Sequence, residues 1–208
     1  MKRAFDIFLA SLLLILGAIP LSMIALAVKL TSKGPALYWS DRVGRFNRIF
    51  SMPKFRTMRI DTPQVASHLL TDPGRWLTPI GNFLRRTSLD ELPQLWSVLK
   101  GDMSFVGPRP ALFNQDDLIQ LRTEKGVHEL PVGVTGWAQI NGRDESPIPE
   151  KVAFDVYYLN HRSFWFDLKI IFITGWKVVR REGTVVPETI TGPQTSQGDA
   201  DESPRKAA

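Results

Sequence analysis

The sequence predicts a mainly helical α+β fold in which an N-terminal membrane helix precedes one compact domain. The first observation is an uncharged apolar run from Ile7 to Val28, which is long enough for a membrane helix. The second is the stretch 37–55, where aromatic and basic side chains interleave as in short strands. The third is that most segments after residue 75 carry apolar residues at helical spacing.

The composition excludes several classes of site. With 208 residues, of which 43% are hydrophobic and 23% charged, the chain can build a packed core. It has no cysteine, which rules out disulfides, zinc–thiolate sites, iron–sulfur clusters and cysteine nucleophiles. Its three histidines, His68, His128 and His161, are not spaced as a metal pair. The formal net charge of +5 favours an anionic partner, such as nucleic acid, a lipid headgroup or a phosphorylated substrate.

The residues around the apolar run leave its topology open. Pro20 removes a helical hydrogen bond, so a kink is expected in the second half of the segment. Lys2 and Arg3 precede the run and Lys29 and Lys33 follow it, so both ends carry the positive charge that marks the cytoplasmic side. A bent helix that enters and leaves the same leaflet and a straight span both fit these residues. A cleaved signal peptide is disfavoured because no clean small-residue cleavage site follows.

Two polar residues of this segment are expected to bond within the helix. Ser22 is predicted to satisfy a carbonyl freed by Pro20. Asp6 lies three residues from Arg3, which is in reach of a helical ion pair.

After the apolar run, turn and helix signals divide the chain into short elements. A turn at residues 31–36 and a polar loop at 59–74 flank the strand region. Residues 107–110 read Gly-Pro-Arg-Pro and predict a rigid, non-helical corner. Residues 131–142 are predicted as Gly-rich loop or strand, and the composition from Pro187 onward is typical of a disordered tail. Helices are predicted at residues 76–86, 88–99, 114–125, 149–159 and 163–181.

The last predicted helix, residues 163–181, allows two placements. Its Trp and Phe residues and its basic end, with Arg180 and Arg181, suit a membrane interface. Asp167 and Lys169 interrupt its apolar stretch, which is too short to span a bilayer. A core helix of the domain fits the same pattern, so the sequence leaves both placements open.

Two adjacent carboxylates stand at the predicted start of the helix at residues 88–99. Ser88 and Glu91 have the spacing of a capping box, which places Asp90 and Glu91 in the first helical turn. One interpretation is that both acids only complement the helix dipole. The other is a functional site, because Arg85 lies just upstream and Arg109 lies in the Pro-bounded corner downstream.

The functional interpretation points to phosphoryl chemistry. A carboxylate held among cations stays ionised and can act as a nucleophile, and a neighbouring carboxylate can hold a magnesium ion. Cations together with magnesium attract phosphates, and positioning and charge neutralisation supply most of the rate of phosphoryl transfer.

Four motifs, in order along the chain, resemble one family. They are KFRTM at residues 54–58, SLDELPQL at 88–95, KGDMSFVGPRP at 100–110 and TGWAQINGR at 135–143. Together with the N-terminal apolar segment, they identify the chain as similar to the bacterial sugar transferases, the small monotopic phosphoglycosyl transferases that start glycan assembly on a polyprenol phosphate. The resemblance covers roughly residues 1–183.

The resemblance implies a reaction and a role for each matched residue. Asp90 would attack the β-phosphorus of a UDP-sugar and expel UMP, and polyprenol (undecaprenyl) phosphate would then take the sugar phosphate from the carboxylate. Glu91, with Asp90, would bind the cofactor Mg²⁺. The substrate-binding residues that the resemblance implies are Lys54, Arg56, Arg85, Arg109, Gln139, Asn141 and Arg143.

The resemblance also implies an organisation and a location. A re-entrant membrane helix at 1–33, with both ends cytoplasmic, would precede a cytosolic transferase domain at 34–186 with interfacial amphipathic helices, and a disordered tail at 187–208. The enzyme would lie on the cytoplasmic face of the bacterial inner membrane, in contact with inner-leaflet lipid and not with nucleic acid.

Three positions depart from the family pattern, and one alternative function remains. Ile19 stands before the membrane proline, Asn47 replaces a family glycine, and Pro131 stands where many members carry an arginine. The alternative is a non-catalytic, membrane-bound module that binds nucleotide-sugars or lipid phosphate, which would need the basic residues but not both acids. The charge would also suit a nucleic-acid binder, but no motif for that function occurs.

Overall fold

The computed structural model describes residues 1–63, 72–142 and 146–180, and this part of the chain forms a mostly helical α+β fold, as predicted. The predicted tail and Arg143 lie outside the described residues. The helices are α1 (Lys2–Thr31), α2 (Gly81–Arg86), α3 (Leu95–Lys100), α4 (Asp116–Glu124), α5 (Trp137–Asn141), α6 (Ile148–His161) and α7 (Phe164–Arg180). The strands are β1 (Leu37–Val43), β2 (Ile49–Phe55), β3 (Met103–Val106), β4 (Ala111–Leu112) and β5 (Val132–Thr135).

Helix α1 contains the whole apolar run and continues through Pro20. Among the described residues it is the one helix long and apolar enough to cross a membrane. Ser22 donates its hydroxyl to the carbonyl of Ala18 at 2.8 Å. The carbonyl that Pro20 leaves without a helical donor is that of Leu16, four residues earlier, so the role predicted for Ser22 is wrong.

The N-terminal end of α1 is bound to the domain through its charged residues. Asp6 is buried and accepts hydrogen bonds from the Ser104 hydroxyl at 2.9 Å and from the Phe105 backbone N–H at 3.1 Å. Arg3 donates to two backbone carbonyls in the last turn of α3. The predicted Asp6–Arg3 ion pair is therefore wrong, because both side chains bind the domain instead of each other.

Lys2 adds a third attachment at the same end. Its ammonium group lies 2.5 Å from the Asp167 carboxylate of α7 and donates to the Val106 carbonyl at 2.9 Å. The Tyr158 hydroxyl donates to Asp167 at 2.6 Å. These contacts join α1, α6, α7 and the end of β3.

The C-terminal end of α1 is attached to the end of β2. Arg56 donates to the Ser32 carbonyl at 3.0 Å, to the Ser32 hydroxyl at 2.7 Å and to the Lys33 carbonyl. Val28 is fully buried with Phe55 and with Leu84 of α2. Both ends of α1 therefore lie against the same domain, while most side chains between residues 11 and 27 are partly or fully exposed.

Two small sheets organise the domain. The strands predicted at residues 37–55 are β1 and β2, which form an antiparallel hairpin with Leu37 opposite Phe55 and Val43 opposite Ile49. Strand β4 pairs with the other edge of β1. The hairpin turn contains Phe46 and Asn47, both with positive φ. Strands β3 and β5 run parallel, and their apolar residues form the main core together with α3, α6 and α7.

The segment Gly107–Pro110 is the rigid corner that its two prolines predict. The Gly107 N–H donates to the Thr135 carbonyl at 2.9 Å, and the Gly133 N–H donates to the Pro108 carbonyl at 2.8 Å. A Cβ atom on Gly133 would lie 2.2 Å from the nitrogen of Gly107, so only glycine permits this approach of two backbones. The corner is held against β5 by main-chain contacts.

The remaining predictions are confirmed to different degrees. Helices α4, α6 and α7 lie where they were predicted, and α2 is the second half of the predicted helix at 76–86. Residues 137–141 form the short helix α5 where loop or strand was predicted. The predicted helix at 88–99 is a 3₁₀ helix, Leu89–Gln94, followed by α3. Helix α7 packs on the core through the fully buried Ile170, while Trp165 and Phe172 are exposed, so its placement at a membrane interface stays a prediction.

Candidate active site

Asp90 and Glu91 lie together in the 3₁₀ helix Leu89–Gln94, which packs against β2. Ser88 precedes this helix in the left-handed conformation, with φ of 54°, and its side chain makes no capping hydrogen bond. The predicted capping box is therefore wrong, because a residue with left-handed φ and ψ replaces the extended N-cap that this motif needs. The prediction that the two acids share the first helical turn is correct.

Glu91 is the centre of an ion-pair cluster. Its Oε1 atom lies 2.7 Å from Lys54 Nζ on β2 and 3.3 Å from Arg109 Nη2 in the corner. Burial alone would raise the pKa of Glu91, but the charges of Lys54 and Arg109 hold it well below its usual value. Burial lowers the pKa of Lys54, and the charge of Glu91 acts in the opposite direction. Glu91 is thus ionised at every physiological pH.

Asp90 has a different electrostatic environment. It is only 8% exposed, and burial, together with the neighbouring charge of Glu91, raises its pKa to about 6. Lys54 and Arg85 act in the opposite direction and do not overcome burial. The expectation that nearby cations keep both acids strongly ionised therefore holds for Glu91, whereas Asp90 titrates near neutral pH.

Arg85 reaches this environment from the last turn of α2. Its Nε atom donates to the hydroxyl of the buried Thr57 at 3.0 Å. Burial lowers the pKa of Arg85, while the charge of Asp90 acts to raise it. Arg85 is thus placed where it adds positive charge beside Asp90, as the sequence predicts.

A buried ion pair supports the backbone that carries Arg109. Arg122 of α4 donates to the Arg109 carbonyl at 2.8 Å and, through Nε and Nη2, to the Asp155 carboxylate of α6 at 2.9 and 2.7 Å. Sequence analysis missed this pair. Arg122 follows the buried Leu118 by four residues, and Asp155 follows the buried Val152 by three, so helical spacing places each charge on a buried face. A charged residue on the buried face of each of two helices is the sequence pattern from which this ion pair could have been predicted.

Arg42 of β1 is a second residue that the sequence did not assign to the site. It lines a small cleft beside Glu91, and its guanidinium donates from Nη1 to the Pro110 carbonyl at 3.3 Å and from Nε to the Ser40 hydroxyl at 3.0 Å. Burial, together with the charge of Arg109, lowers its pKa to about 10. The cleft is lined by Arg42, Met52, Lys54, Glu91, Gln94, Arg109, Pro110 and Gly133.

Arg56, Gln139 and Asn141 were predicted to bind substrate but do not line this cleft. Arg56 is buried at the end of α1, where it binds backbone carbonyls. Asn141 is exposed and donates to the Trp137 carbonyl at 2.9 Å. Gln139 lies beside Gly136, close to the base of the corner, and its amide nitrogen and oxygen are both buried without a hydrogen-bond partner. Arg143 lies outside the described residues.

The carboxylates present fit a magnesium ion that is shared with a substrate. Among the described residues no group of three or more Asp, Glu, His or Cys side chains could hold a metal. Asp90 and Glu91 are adjacent, so at most two carboxylates are available here. Mg²⁺ commonly uses one or two carboxylates and takes its other ligands from substrate phosphates and water. The donor set therefore fits magnesium, and Asp90 and Glu91 are the residues that would hold it.

Comparison with known proteins matches the sequence of this chain to one family. Residues 1–181 fit the family described as bacterial sugar transferase. The chain belongs to the bacterial sugar transferase family. It is 44% identical over 185 residues to the UDP-glucose:undecaprenyl-phosphate glucose-1-phosphate transferase of Escherichia coli (strain K12), with 85% of this chain and 40% of that protein covered.

Two further relatives show how the family varies in length. The chain is 40% identical over 200 residues to the undecaprenyl-phosphate galactose phosphotransferase of Salmonella typhimurium, covering 88% of this chain and 41% of that protein. It is 41% identical over 202 residues to the uncharacterized sugar transferase EpsL of Bacillus subtilis (strain 168), covering 96% and 98%. This chain thus spans about two fifths of the first two relatives it matches here and nearly all of the third.

Replacing Asp155 by Ala tests whether the buried pair supports the corner. The change leaves the Arg122 charge buried without its partner, so we expect a loss of about 3–5 kcal/mol in the free energy of unfolding. Urea unfolding of the detergent-solubilised protein measures it. Asp61→Ala is the matched control, because Asp61 pairs with Arg59 on the surface and its loss should change little. Equal midpoints for the two variants would contradict the support role.

Proposed function

We propose that this protein transfers a sugar 1-phosphate from a UDP-sugar to a membrane polyprenol phosphate, with Asp90 as the covalent nucleophile. The observation that carries the proposal is the adjacent pair Asp90 and Glu91, of which Glu91 lines a cleft together with Lys54 and Arg109. The names of two relatives, an undecaprenyl-phosphate glucose-1-phosphate transferase and an undecaprenyl-phosphate galactose phosphotransferase, support this substrate class. The identity of the sugar is not part of the proposal.

The two carboxylates suit different roles. Glu91 is engaged by Lys54 and Arg109, so its charge is already used to hold the cleft together. Asp90, with a pKa of about 6, is about nine-tenths ionised at pH 7 and keeps a more basic carboxylate than an ordinary aspartate. A more basic carboxylate is a better nucleophile, so Asp90 is the acid that attacks phosphorus.

The reaction then has two balanced steps. In the first, an Asp90 carboxylate oxygen attacks the β-phosphorus of the UDP-sugar, the bond from that phosphorus to the bridging oxygen breaks, and UMP leaves with that oxygen. In the second, a phosphate oxygen of the polyprenol phosphate attacks the same phosphorus, and the Asp90 carboxylate leaves with its electron pair. The product is a polyprenyl diphosphate sugar, and the enzyme is restored.

The surrounding cations stabilise charge on the phosphates in both steps. The charges of Lys54 and Arg85 act on Asp90. Arg109 comes from a separate segment of the chain and pairs with Glu91. Asp90 and Glu91 would also hold Mg²⁺, which neutralises phosphate charge when it is bound. Preorganised positive charge of this kind supplies most of the rate in phosphoryl transfer.

Gln139 is the best supported of the three substrate-binding residues predicted within residues 135–143. A buried amide whose nitrogen and oxygen both lack partners costs free energy until a ligand or water supplies them. A uracil ring, with alternating carbonyl oxygens and an N–H, offers the matching donor and acceptor. Asn141 and Arg143 stay predicted substrate-binding residues.

The attachment of α1 supports a re-entrant topology. Lys2 and Asp6 at one end and Ser32 at the other bind residues of one domain, which favours a helix whose ends emerge on the same side of the membrane. The exposed Trp165, Phe172 and Trp176 of α7 suit the interface of the same leaflet. Both features fit a protein of the cytoplasmic face of the inner membrane.

Mixing the protein with UDP-sugar and Mg²⁺, without polyprenol phosphate, tests the covalent step. The wild type should release up to one equivalent of UMP and gain the mass of the sugar phosphate, which intact-protein mass spectrometry detects. Asp90→Asn should abolish both events, because an amide cannot form the acyl phosphate. Glu91→Gln should still form the adduct but more slowly, since it loses a charged metal ligand and the ion pairs with Lys54 and Arg109.

The acceptor distinguishes this scheme from direct transfer. A wild type that forms no adduct and releases no UMP until polyprenol phosphate is added would mean direct attack by the lipid phosphate, and would refute the role of Asp90 as nucleophile. Panels of UDP-sugars must be tried before a negative result is accepted.

The pH dependence of UMP release follows from the pKa of Asp90. The ionised form attacks, so the single-turnover rate should be constant above pH 7 and fall about tenfold for each pH unit well below 6. The charge of Glu91 helps to raise the pKa of Asp90, so Glu91→Gln should move the acidic fall in rate to lower pH. The same change should lower the constant rate reached at higher pH. If the rate of the wild type falls only near pH 4, the ordinary pKa range of an aspartate, the proposed role of burial is contradicted.

Single cysteines test the topology, because the chain contains none of its own. Cysteines at the exposed positions Ala4 and Lys33 should both react with a membrane-impermeant maleimide from the cytoplasmic side only. A cysteine at the exposed Ile15 should be protected by lipid from both sides, and one at Asp61 marks the cytoplasmic domain. Periplasmic labelling of position 4 would establish a full span and exclude re-entry.

A further inference from the structure

We propose that Arg42 binds a phosphate group other than the one that Asp90 attacks, so that the cleft holds two phosphates at once. The inference rests on the proposed function and adds a substrate-binding residue to it. The shared chemistry is a phosphate group, and either the nucleotide or the lipid acceptor can supply it.

The register of the β1–β2 hairpin places Arg42 on the cleft side. Tyr38 lies opposite Lys54, and Ser40 lies opposite Met52. Because alternate residues of a strand share one face, Arg42 lies on the same face of the hairpin as Lys54, four residue pairs further along the ladder. Lys54 and Arg42 therefore border the cleft from one rigid surface, with Glu91 and Arg109 across from them.

Among the described residues that line the cleft, cations outnumber carboxylates. Arg42, Lys54 and Arg109 line it, whereas Glu91 is the one carboxylate among its lining residues. Glu91 already accepts from Lys54 and Arg109 and makes no ion pair with Arg42. Clustered cations in a partly buried cleft repel one another, and an anion that binds between them relieves this repulsion.

The hydrogen bonds of Arg42 leave one side of its guanidinium available. Nε is bound to the Ser40 hydroxyl and Nη1 to the Pro110 carbonyl, which together fix the plane of the group. Within the described parts of the chain, Nη2 donates to no protein acceptor. A planar guanidinium held in this way presents its remaining N–H groups in a fixed geometry, which suits a phosphate oxygen.

The position of Arg42 separates it from the reacting phosphorus. Arg42 lines the cleft together with Glu91 and Arg109, whereas Asp90 is not among the residues that line it. Arg42 is therefore placed to bind a phosphate other than the one that Asp90 attacks. A phosphate bound there is the α-phosphate of the nucleotide, which leaves as UMP, or the phosphate of the polyprenol acceptor.

Arg42→Gln and Arg42→Lys in the full chain, reconstituted in nanodiscs, test the inference, with Arg48→Gln as the matched control. Arg48 is an exposed arginine on the same hairpin, outside the cleft. The first arm measures UMP binding by isothermal titration calorimetry, and the second measures KM for undecaprenyl phosphate. Because hydrogen bonds to charged groups contribute about 1.5–3 kcal/mol, Arg42→Gln should weaken one of these two constants by roughly 10- to 100-fold. Arg42→Lys keeps the charge and loses the planar fork, so its effect should be smaller, and Arg48→Gln should match the wild type.

The two arms identify the phosphate. Weaker UMP binding with unchanged KM for the lipid assigns Arg42 to the α-phosphate, and the reverse assigns it to the acceptor. Unchanged values in both arms, for a variant that unfolds at the wild-type temperature, would overturn the inference. If Arg42→Gln unfolds at a lower temperature than the wild type, the same comparison is made with Arg42→Lys. Wild-type values of both constants for Arg42→Lys would then overturn the inference.

Failure of the proposed function would give a different result. A wild type that binds UMP but releases none from any UDP-sugar would refute the transferase reaction. The UMP affinities of the wild type, Arg42→Gln and Arg48→Gln would still test whether Arg42 binds a phosphate.

Discussion

The ion pairs of Glu91 with Lys54 and Arg109 are the interaction on which the site depends. They join three segments that are far apart in the chain: strand β2, the 3₁₀ helix Leu89–Gln94 and the corner Gly107–Pro110. Breaking such a partly buried pair leaves a charge without its partner, which costs more than the pair contributes when it is intact. Glu91 therefore organises the cleft even before any substrate binds, which agrees with the proposal that the neighbouring Asp90 is the acid that reacts.

The corner that carries Arg109 is supported from several sides. Gly107 and Gly133 allow its backbone to lie directly on β5, Arg122 and Arg42 donate to the carbonyls of its last two residues, and Asp155 holds Arg122 in place. This support explains why an arginine flanked by prolines can be held accurately although it lies in no regular element. Accuracy of this kind is what phosphoryl transfer requires, because most of its rate comes from positioned charge.

The sequence predicted local features well and long-range contacts poorly. The strands at residues 37–55, the corner, α4, α6, α7 and the closeness of Asp90 and Glu91 follow from residue patterns, proline placement and adjacency. The capping role of Ser88 was wrong because a left-handed backbone at that residue cannot be read from residue types. The roles of Arg42 and Arg122 were missed because each depends on which strands and helices become neighbours. Arg56 lies within a matched motif, yet its guanidinium binds the end of α1, which only the packing of that helix reveals.

Helix α1 and the cleft are linked through the same short segments. At one end, Asp6 and Lys2 bind Phe105 and Val106 of β3, and the chain enters the corner at the next residue. At the other end, Ser32 binds Arg56, two residues after Lys54 on the same chain segment. Both anchors of the apolar helix therefore lie within three residues of a cation that pairs with Glu91. A helix embedded in lipid would consequently set the height of Lys54 and Arg109 relative to the membrane surface, which is where the phosphate of a polyprenol acceptor must lie.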